Sequence, residues 1–117
     1  MAVSVLIVDD HAGFRAFART LLSEEGFVVV GEAEDGAGAL EAARNLRPDV
    51  VLLDVQLPDT NGFAVAERIA EDPDPPQVVL ISTRDASTYR RRLDSALVRG
   101  FIAKAELSGP ALAALVG

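Results

Sequence analysis

The chain has no cysteine, which excludes thiol chemistry, disulfides and thiolate metal sites. It has no basic excess either: 18 acidic residues against 11 basic ones leave a formal net charge of -7. Nucleic acid or an anionic membrane surface would need a positively charged face, so the chain itself is expected to bind neither. No apolar run reaches the length needed to span a bilayer. The opening MAVSVLIVDD lacks a basic segment, and its short apolar run ends in two acids, unlike a secretory signal. A cytoplasmic location is expected. Aromatic residues are scarce at 5%, yet 50% of the chain is hydrophobic and 25% charged, the balance of a folded domain rather than a disordered one. At 117 residues, with no linker, repeat or low-complexity tract, one domain over residues 1–117 is expected.

Lysine is almost missing as well. Lys104 is the single exception in a chain that otherwise uses Arg for positive charge. Lysine is a compact point charge and arginine a planar fork, so position 104 is read as one that needs the point charge.

Taken in order, Val3 to Val8 is an apolar run that ends in Asp9 and Asp10. Phe14, Phe17, Ala18, Leu21 and Leu22 then follow helical spacing until Gly26, with Arg15 and Arg19 on or near the outer side. Phe27 to Val30 predicts a second strand, and Ala37 to Leu46 a second helix capped by Asp35. Val50 to Leu53 is a third strand. It leads into Asp54 and the loop that carries Pro58, Asp59, Asn61 and Gly62. A third helix turns Phe63, Ala66 and Ile69 inward and stops at Asp72 before the turn DPDPP. Val78 to Ile81 is a fourth strand ending at Ser82 and Thr83, and Phe101 to Ala103 a short fifth one ending at Lys104. Between them, Asp85 to Arg99 has a thin apolar stripe of Tyr89, Leu93, Ala96 and Leu97 and reads as an irregular helix. Ser108 caps a last short helix from Gly109 or Pro110 to Leu115.

Apolar runs alternating with helical segments predict an α/β fold, a doubly wound five-stranded parallel sheet with helices on both faces. Right-handed crossovers and this length select the strand order 2-1-3-4-5. Strands one and three are then neighbours at the switch point, where such folds bind ligands beyond the carboxyl ends of the strands. Asp9, Asp10, Asp54, Ser82 and Lys104 all end strands, so they converge on one rim.

Alone, Asp54 fits a turn-forming acid as well as a reactive one. Together the three carboxylates repel, and each close ionised pair costs on the order of a few kcal/mol at an effective dielectric of about 20. Such a pocket must raise a carboxyl pKa or bind a cation. Oxygen ligands without cysteine or a histidine cluster suit a hard ion, and open positions for water or phosphate favour Mg2+ over Ca2+. Three aspartates, one divalent ion and Lys104 make a neutral site. A carboxylate beside Mg2+ can attack phosphorus. Mg2+ and Lys104 would then hold phosphoryl oxygens while Ser82 donates a hydrogen bond to another. By residue type alone Phe101 is core, His11 a solvated loop residue, and Arg90 to Arg92 a solvated helix face or a contact for an acidic partner.

LIVDDH, VVLLDVQLPDTNGF, VVLIST and GFIAK, in this order and spacing, resemble the receiver domain of bacterial two-component response regulators, and the resemblance covers essentially the whole chain. It implies a signalling switch rather than an enzyme. Asp54 would accept a phosphoryl group from a sensor histidine kinase or phosphotransfer protein, and Asp9, Asp10, Asp54 and the Gln56 carbonyl would hold Mg2+. Ser82 and Phe101 would form the switch pair. It also implies a downstream protein or output domain and a phosphorylation-linked homodimer. The DDH and GFIAK segments are similar to receivers that precede a LuxR-type helix-turn-helix output domain, and none is expected within residues 1–117.

Two positions depart from the receiver pattern. Ala105 replaces the proline that usually follows the lysine; a cis bond before a non-proline residue costs about 3 kcal/mol, so a trans bond is expected. Thr83 stands where Ala or Gly is common, which predicts narrower access to Asp54. Two other function classes compete. A Mg2+-dependent phosphohydrolase of the haloacid-dehalogenase type would need an acid two residues after the nucleophile, where Gln56 stands. A receiver-like constitutive binding module would not need the intact Asp, Ser and Lys set. A flavin site is disfavoured because the first loop offers Asp9 and Asp10 instead of phosphate-cradling donors.

Overall fold

Each apolar run becomes a strand, and each run of helical spacing becomes a helix packed on one sheet. The computed structural model describes residues 2–116. Its elements are β1 (Ser4–Val8), α1 (Ala12–Glu24), β2 (Val28–Ala33), α2 (Gly36–Leu46), β3 (Val50–Asp54), α3 (Gly62–Ile69), β4 (Gln77–Ser82), α4 (Arg90–Ser95), β5 (Gly100–Ala103) and α5 (Gly109–Leu115). A 3-10 turn, Ala86–Tyr89, leads into α4, and a second, Lys104–Glu106, follows β5. The helix expected over Asp85 to Arg99 is therefore irregular, and it ends where Ala96 turns extended. The second strand runs on past Val30 to Ala33, as an edge strand that leaves Val28 and Val30 partly exposed.

The sheet is parallel throughout, in the order β2-β1-β3-β4-β5. Alternation along the strands builds two cores. Leu6, Val8, Val51, Leu53 and Leu80 face α2 and α3 with Ala39, Phe63, Ala66 and Ile69. Val5, Ile7, Val50, Leu52, Val79 and Ile81 face the other way, onto Ala18 and Leu22 of α1 and Leu112 of α5. The three central strands are thus buried on both faces, as their unbroken Val and Leu runs require. Phe17 corrects the expected inward stripe of α1. It is 54% exposed, because Ala18 and Leu22 supply the fully buried positions and Phe17 lies off their line with its ring 6.3 Å from that of Phe14.

Two helix starts follow the side chains expected to cap them, Asp35 and Ser108, and Asn61, read in the sequence as a loop residue, caps α3. The Asp35, Asn61 and Ser108 oxygens accept N–H groups of Gly38, Ala64 and Ala111 at 2.7, 3.0 and 3.1 Å, each bond contributing about 1 kcal/mol. Asp59 adds a cap between elements, accepting from Gly36 and Ala37 at the start of α2 at 2.8 and 3.1 Å. Those two amides hold its carboxyl below the ordinary range, and they pin the loop after β3 to α2.

Register brings the strand ends together. Val8 pairs with Leu53, Asp54 with Ile81 and Ser82 with Ala103, so Asp9, Asp54, Ser82 and Lys104 stand in adjacent rows at one edge. Gly62 is needed beside them: a Cβ there would lie 2.6 Å from the Asp54 carbonyl oxygen. Its N–H donates to the Val55 carbonyl at 2.8 Å, drawing the start of α3 against the acidic strand end. Among the described residues no peptide bond is cis, so Lys104–Ala105 is trans as expected. No described helix is long and apolar enough to cross a membrane.

Candidate functional site

Asp9 is fully buried and Asp54 nearly so, at 4% exposure. Lys104 reaches between them from the end of β5. Its ammonium pairs with Asp9 Oδ2 and lies 3.1 Å from Asp54 Oδ2. The ammonium also sits over the Phe14 ring, 4.6 Å from its centroid, a cation–π contact on a further side. The remaining oxygens are held by the backbone: His11 N–H donates to Asp9 Oδ1 at 2.8 Å and Gln56 N–H to Asp54 Oδ1 at 3.1 Å.

Burial raises the Asp54 carboxyl above its ordinary pKa, against the opposing Gln56 amide and Lys104 charge, while the Asp9 charge adds to the rise. For Lys104, burial pulls the pKa down, but the Asp9 hydrogen bond and the charge of Asp54 outweigh it and leave the ammonium more firmly protonated than usual. A raised carboxyl beside a firmly held cation is the electrostatic pattern of a functional site.

A cavity of about 180 Å³ opens beside this pair, lined by Asp10, His11, Asp54, Gln56, Leu57, Pro58, Thr83 and Lys104. Asp10 and Gln56 are exposed and reach it from the loops after β1 and β3. His11 is exposed, as a solvated loop residue should be, yet it is closer to the acids than that reading implies. Its Nδ1 lies 3.1 Å from Asp10 and 3.4 Å from Asp9, and the three side chains form the acidic cluster found at this edge.

Ser82 and Phe101 are near this group without joining it. The Ser82 hydroxyl, 1% exposed, lies 3.0 Å from the Tyr89 hydroxyl and accepts the Arg84 N–H at 3.1 Å. Phe101 is half-buried, its ring 5.8 Å from that of Tyr89. Tyr89, counted in the sequence only as part of a thin apolar stripe, is thus the link between them.

Helical spacing puts Arg15 on or near the outer side of α1 and gives no sign of its role at the site. Its side chain is only 16% exposed. It donates to the Asp9 carbonyl at 2.6 Å and to Glu32 at 2.9 Å, and Arg19 donates to the other Glu32 oxygen at 2.7 Å. No spacing rule within α1 signals this, because Glu32 arrives from β2. The Arg19 bond, then Arg15, holds the Glu32 carboxyl below its ordinary value of 4.5 despite partial burial. A lowered carboxyl stabilises the fold above the ordinary value and loses that contribution as pH falls through the lowered one. Glu32→Gln is therefore expected to lower the thermal midpoint by a few degrees at pH 7, a gap that narrows below pH 4.5. Paired melting curves across that range check it, and a gap independent of pH would count against the network.

Comparison with known proteins agrees with this fold. A family model described as a response regulator receiver domain matches residues 5–115. The response regulator GacA of Pseudomonas aeruginosa is 35% identical over 103 residues, which cover 87% of this chain and 48% of that protein. The chain spans about half the length of this and other curated regulators it matches. Among solved structures, the signal receiver domain of NarL from Mycobacterium tuberculosis superposes with a TM-score of 0.84 at 35% identity, over 99% of this chain and 98% of that one. A LuxR-family two-component response regulator from Aurantimonas superposes at 0.86 with 26% identity, over 98% and 86%.

Proposed function

The chain belongs to the response regulator receiver domain family, and from that premise we propose that Asp54 is the residue through which it switches, accepting a phosphoryl group from a sensor histidine kinase or a phosphotransfer protein. The observation that carries this reading is the buried Asp54 carboxylate at the end of β3, 3.1 Å from the only lysine and open on one side to a polar cavity.

The donor set fits Mg2+. Asp9, Asp10 and Asp54 bring three carboxylates against the single ammonium of Lys104, so a divalent cation balances the site, and the cavity has room for an ion that keeps some of its water. Asp9, Asp10, Asp54 and the Gln56 carbonyl would hold it. When bound, the ion neutralises charge on the phosphoryl oxygens. The chain's own residues do the rest. The Gln56 amide orients Asp54 Oδ1, Lys104 offers its ammonium to an incoming phosphoryl oxygen, and the Phe14 ring steadies the ammonium by a cation–π contact.

Phosphorylation turns one negative charge on Asp54 into about two. Ser82 and Phe101 are the switch pair in this reading, the hydroxyl turning toward the new charge and the ring following it. Residues 1–117 serve as one receiver domain, acting on a downstream protein or an output domain and pairing with a second copy when phosphorylated. The direct test is mass spectrometry of the protein after incubation with acetyl phosphate and Mg2+: a phosphoryl adduct on Asp54 supports the reading, and its absence overturns it.

Thr83 lines the cavity beside Asp54 and Lys104 and is exposed. Thr83→Ala is expected to speed labelling by acetyl phosphate by roughly two- to tenfold, the range of about 0.4 to 1.4 kcal/mol in barrier. An unchanged rate would remove access as the role of Thr83.

A further inference from the structure

The Ser82 hydroxyl is committed to a partner away from Asp54. Its described hydrogen bonds are the 3.0 Å contact with the Tyr89 hydroxyl and the Arg84 N–H it accepts, and neither reaches Asp9, Asp54 or Lys104. Tyr89 is 7% exposed and its ring stands between two others, 5.9 Å from Phe63 of α3 and 5.8 Å from Phe101 of β5. The Arg92 guanidinium covers the Phe63 ring at 4.2 Å and donates to Asn61, the cap of α3, at 3.2 Å.

We propose that Tyr89 is a positioning residue for the switch: its hydroxyl holds the Ser82 hydroxyl in the unphosphorylated chain and competes for it with a phosphoryl oxygen on Asp54. This rests on Asp54 as the acceptor. The chemistry is a contest for one group. Either hydroxyl can donate in the Ser82–Tyr89 contact, and in both cases a Ser82 side chain that turns to a phosphoryl oxygen carries its own oxygen away from the Tyr89 hydroxyl. The Tyr89 hydroxyl would then be buried without a hydrogen bond, which is costly, so the ring must shift toward water or another acceptor. Phe63 and Phe101 lie on its two sides and must repack with it. A change at Asp54 thereby reaches the start of α3 through Phe63, Arg92 and Asn61 as well as β5 through Phe101.

Removing only the competing hydroxyl should favour the phosphorylated arrangement. Tyr89→Phe is expected to bind beryllofluoride, in the presence of Mg2+, about three- to tenfold more tightly than the wild type, the worth of one hydrogen bond. Tyr89→Ala should not reproduce the gain, because it also removes the ring. A purely structural role would weaken binding in both variants.

Tyr89 is the only tyrosine in a chain without tryptophan, so ultraviolet-excited emission reports on this ring. Beryllofluoride should change that emission saturably in the wild type. In Ser82→Ala the free protein should already emit differently, and the response on binding should be smaller. Affinities are read independently by fluorine NMR, with Asp54→Asn as the control. If the wild type binds beryllofluoride but Tyr89→Phe binds no more tightly, or Tyr89 emission stays constant, the inference fails and the Asp54 reading stands. If the wild type does not bind, or Asp54→Asn binds equally well, the acceptor assignment fails and the inference falls with it.

Discussion

Asp54→Asn is expected to lose phosphoryl incorporation from acetyl phosphate completely while gaining stability. The loss follows from chemistry: an amide oxygen is not a nucleophile that forms the acyl phosphate, and among the described residues Asp54 is the buried carboxylate that lines the cavity, whereas the Asp9 oxygens are held by Lys104 and the His11 amide. The gain follows from burial, which raises the Asp54 pKa and so disfavours its ionised form in the folded chain. A carboxyl with a raised folded-state pKa stabilises the fold when protonated and loses that contribution as pH rises through the raised value. Asparagine keeps the oxygen that accepts from Gln56 and carries no charge. The variant should therefore melt a few degrees above the wild type near pH 7, with the difference closing toward acid pH as Asp54 takes up its proton. Mass spectrometry reads the first effect and calorimetry the second. Undiminished labelling of the variant would send the search for the acceptor elsewhere.

Lys104→Met is expected to destabilise the protein by about 3 to 5 kcal/mol, because it leaves buried carboxylates without their counter-charge. Asp9 has no access to water and would lose the ammonium paired with its Oδ2. Methionine fills much of the volume, so the loss reports charge more than packing. A divalent cation offers the same acids a substitute charge. Mg2+ should therefore raise the denaturation midpoint of Lys104→Met by more than that of the wild type, since ligand binding to the native state adds stability. Lys104→Arg should not restore full function, because a planar fork cannot occupy a point-charge position between two acids. Equal response of variant and wild type to Mg2+ would mean that the ion and the ammonium do not serve the same carboxylates.

How much of this was legible in the chain depends on how local each signal is. Asp9, Asp54 and Lys104 could be placed together because each follows an apolar run, and one strand order puts those run ends side by side. Tyr89 could not. It lies in the segment from 85 to 99, where the apolar stripe is thin, and its partner Ser82 is reached by the turn of a 3-10 segment that no periodicity encodes. Arg15 was hidden for a different reason: Glu32 comes from a neighbouring strand whose register against β1 shifts between Val5 and Leu6. Phe17 misled because helical spacing marks a face about 100° wide, while the core here is filled by Ala18 and Leu22. Gly62 looked like turn punctuation, and only the backbone revealed its contact with the Asp54 carbonyl.

The solitary lysine also decides how this protein can be handled at the bench. Reagents that acylate ε-amines have a single side chain to find, and it is 11% exposed and kept protonated between two carboxylates. An ammonium has no lone pair to offer an ester, so lysine-directed tags, crosslinkers and coupling to activated surfaces should react slowly here. Where they reach Lys104, they modify the cavity itself. Slow acylation of Lys104 is then a footprint: whatever frees the amine from Asp9 and Asp54, or covers it, changes the labelling rate at one known atom.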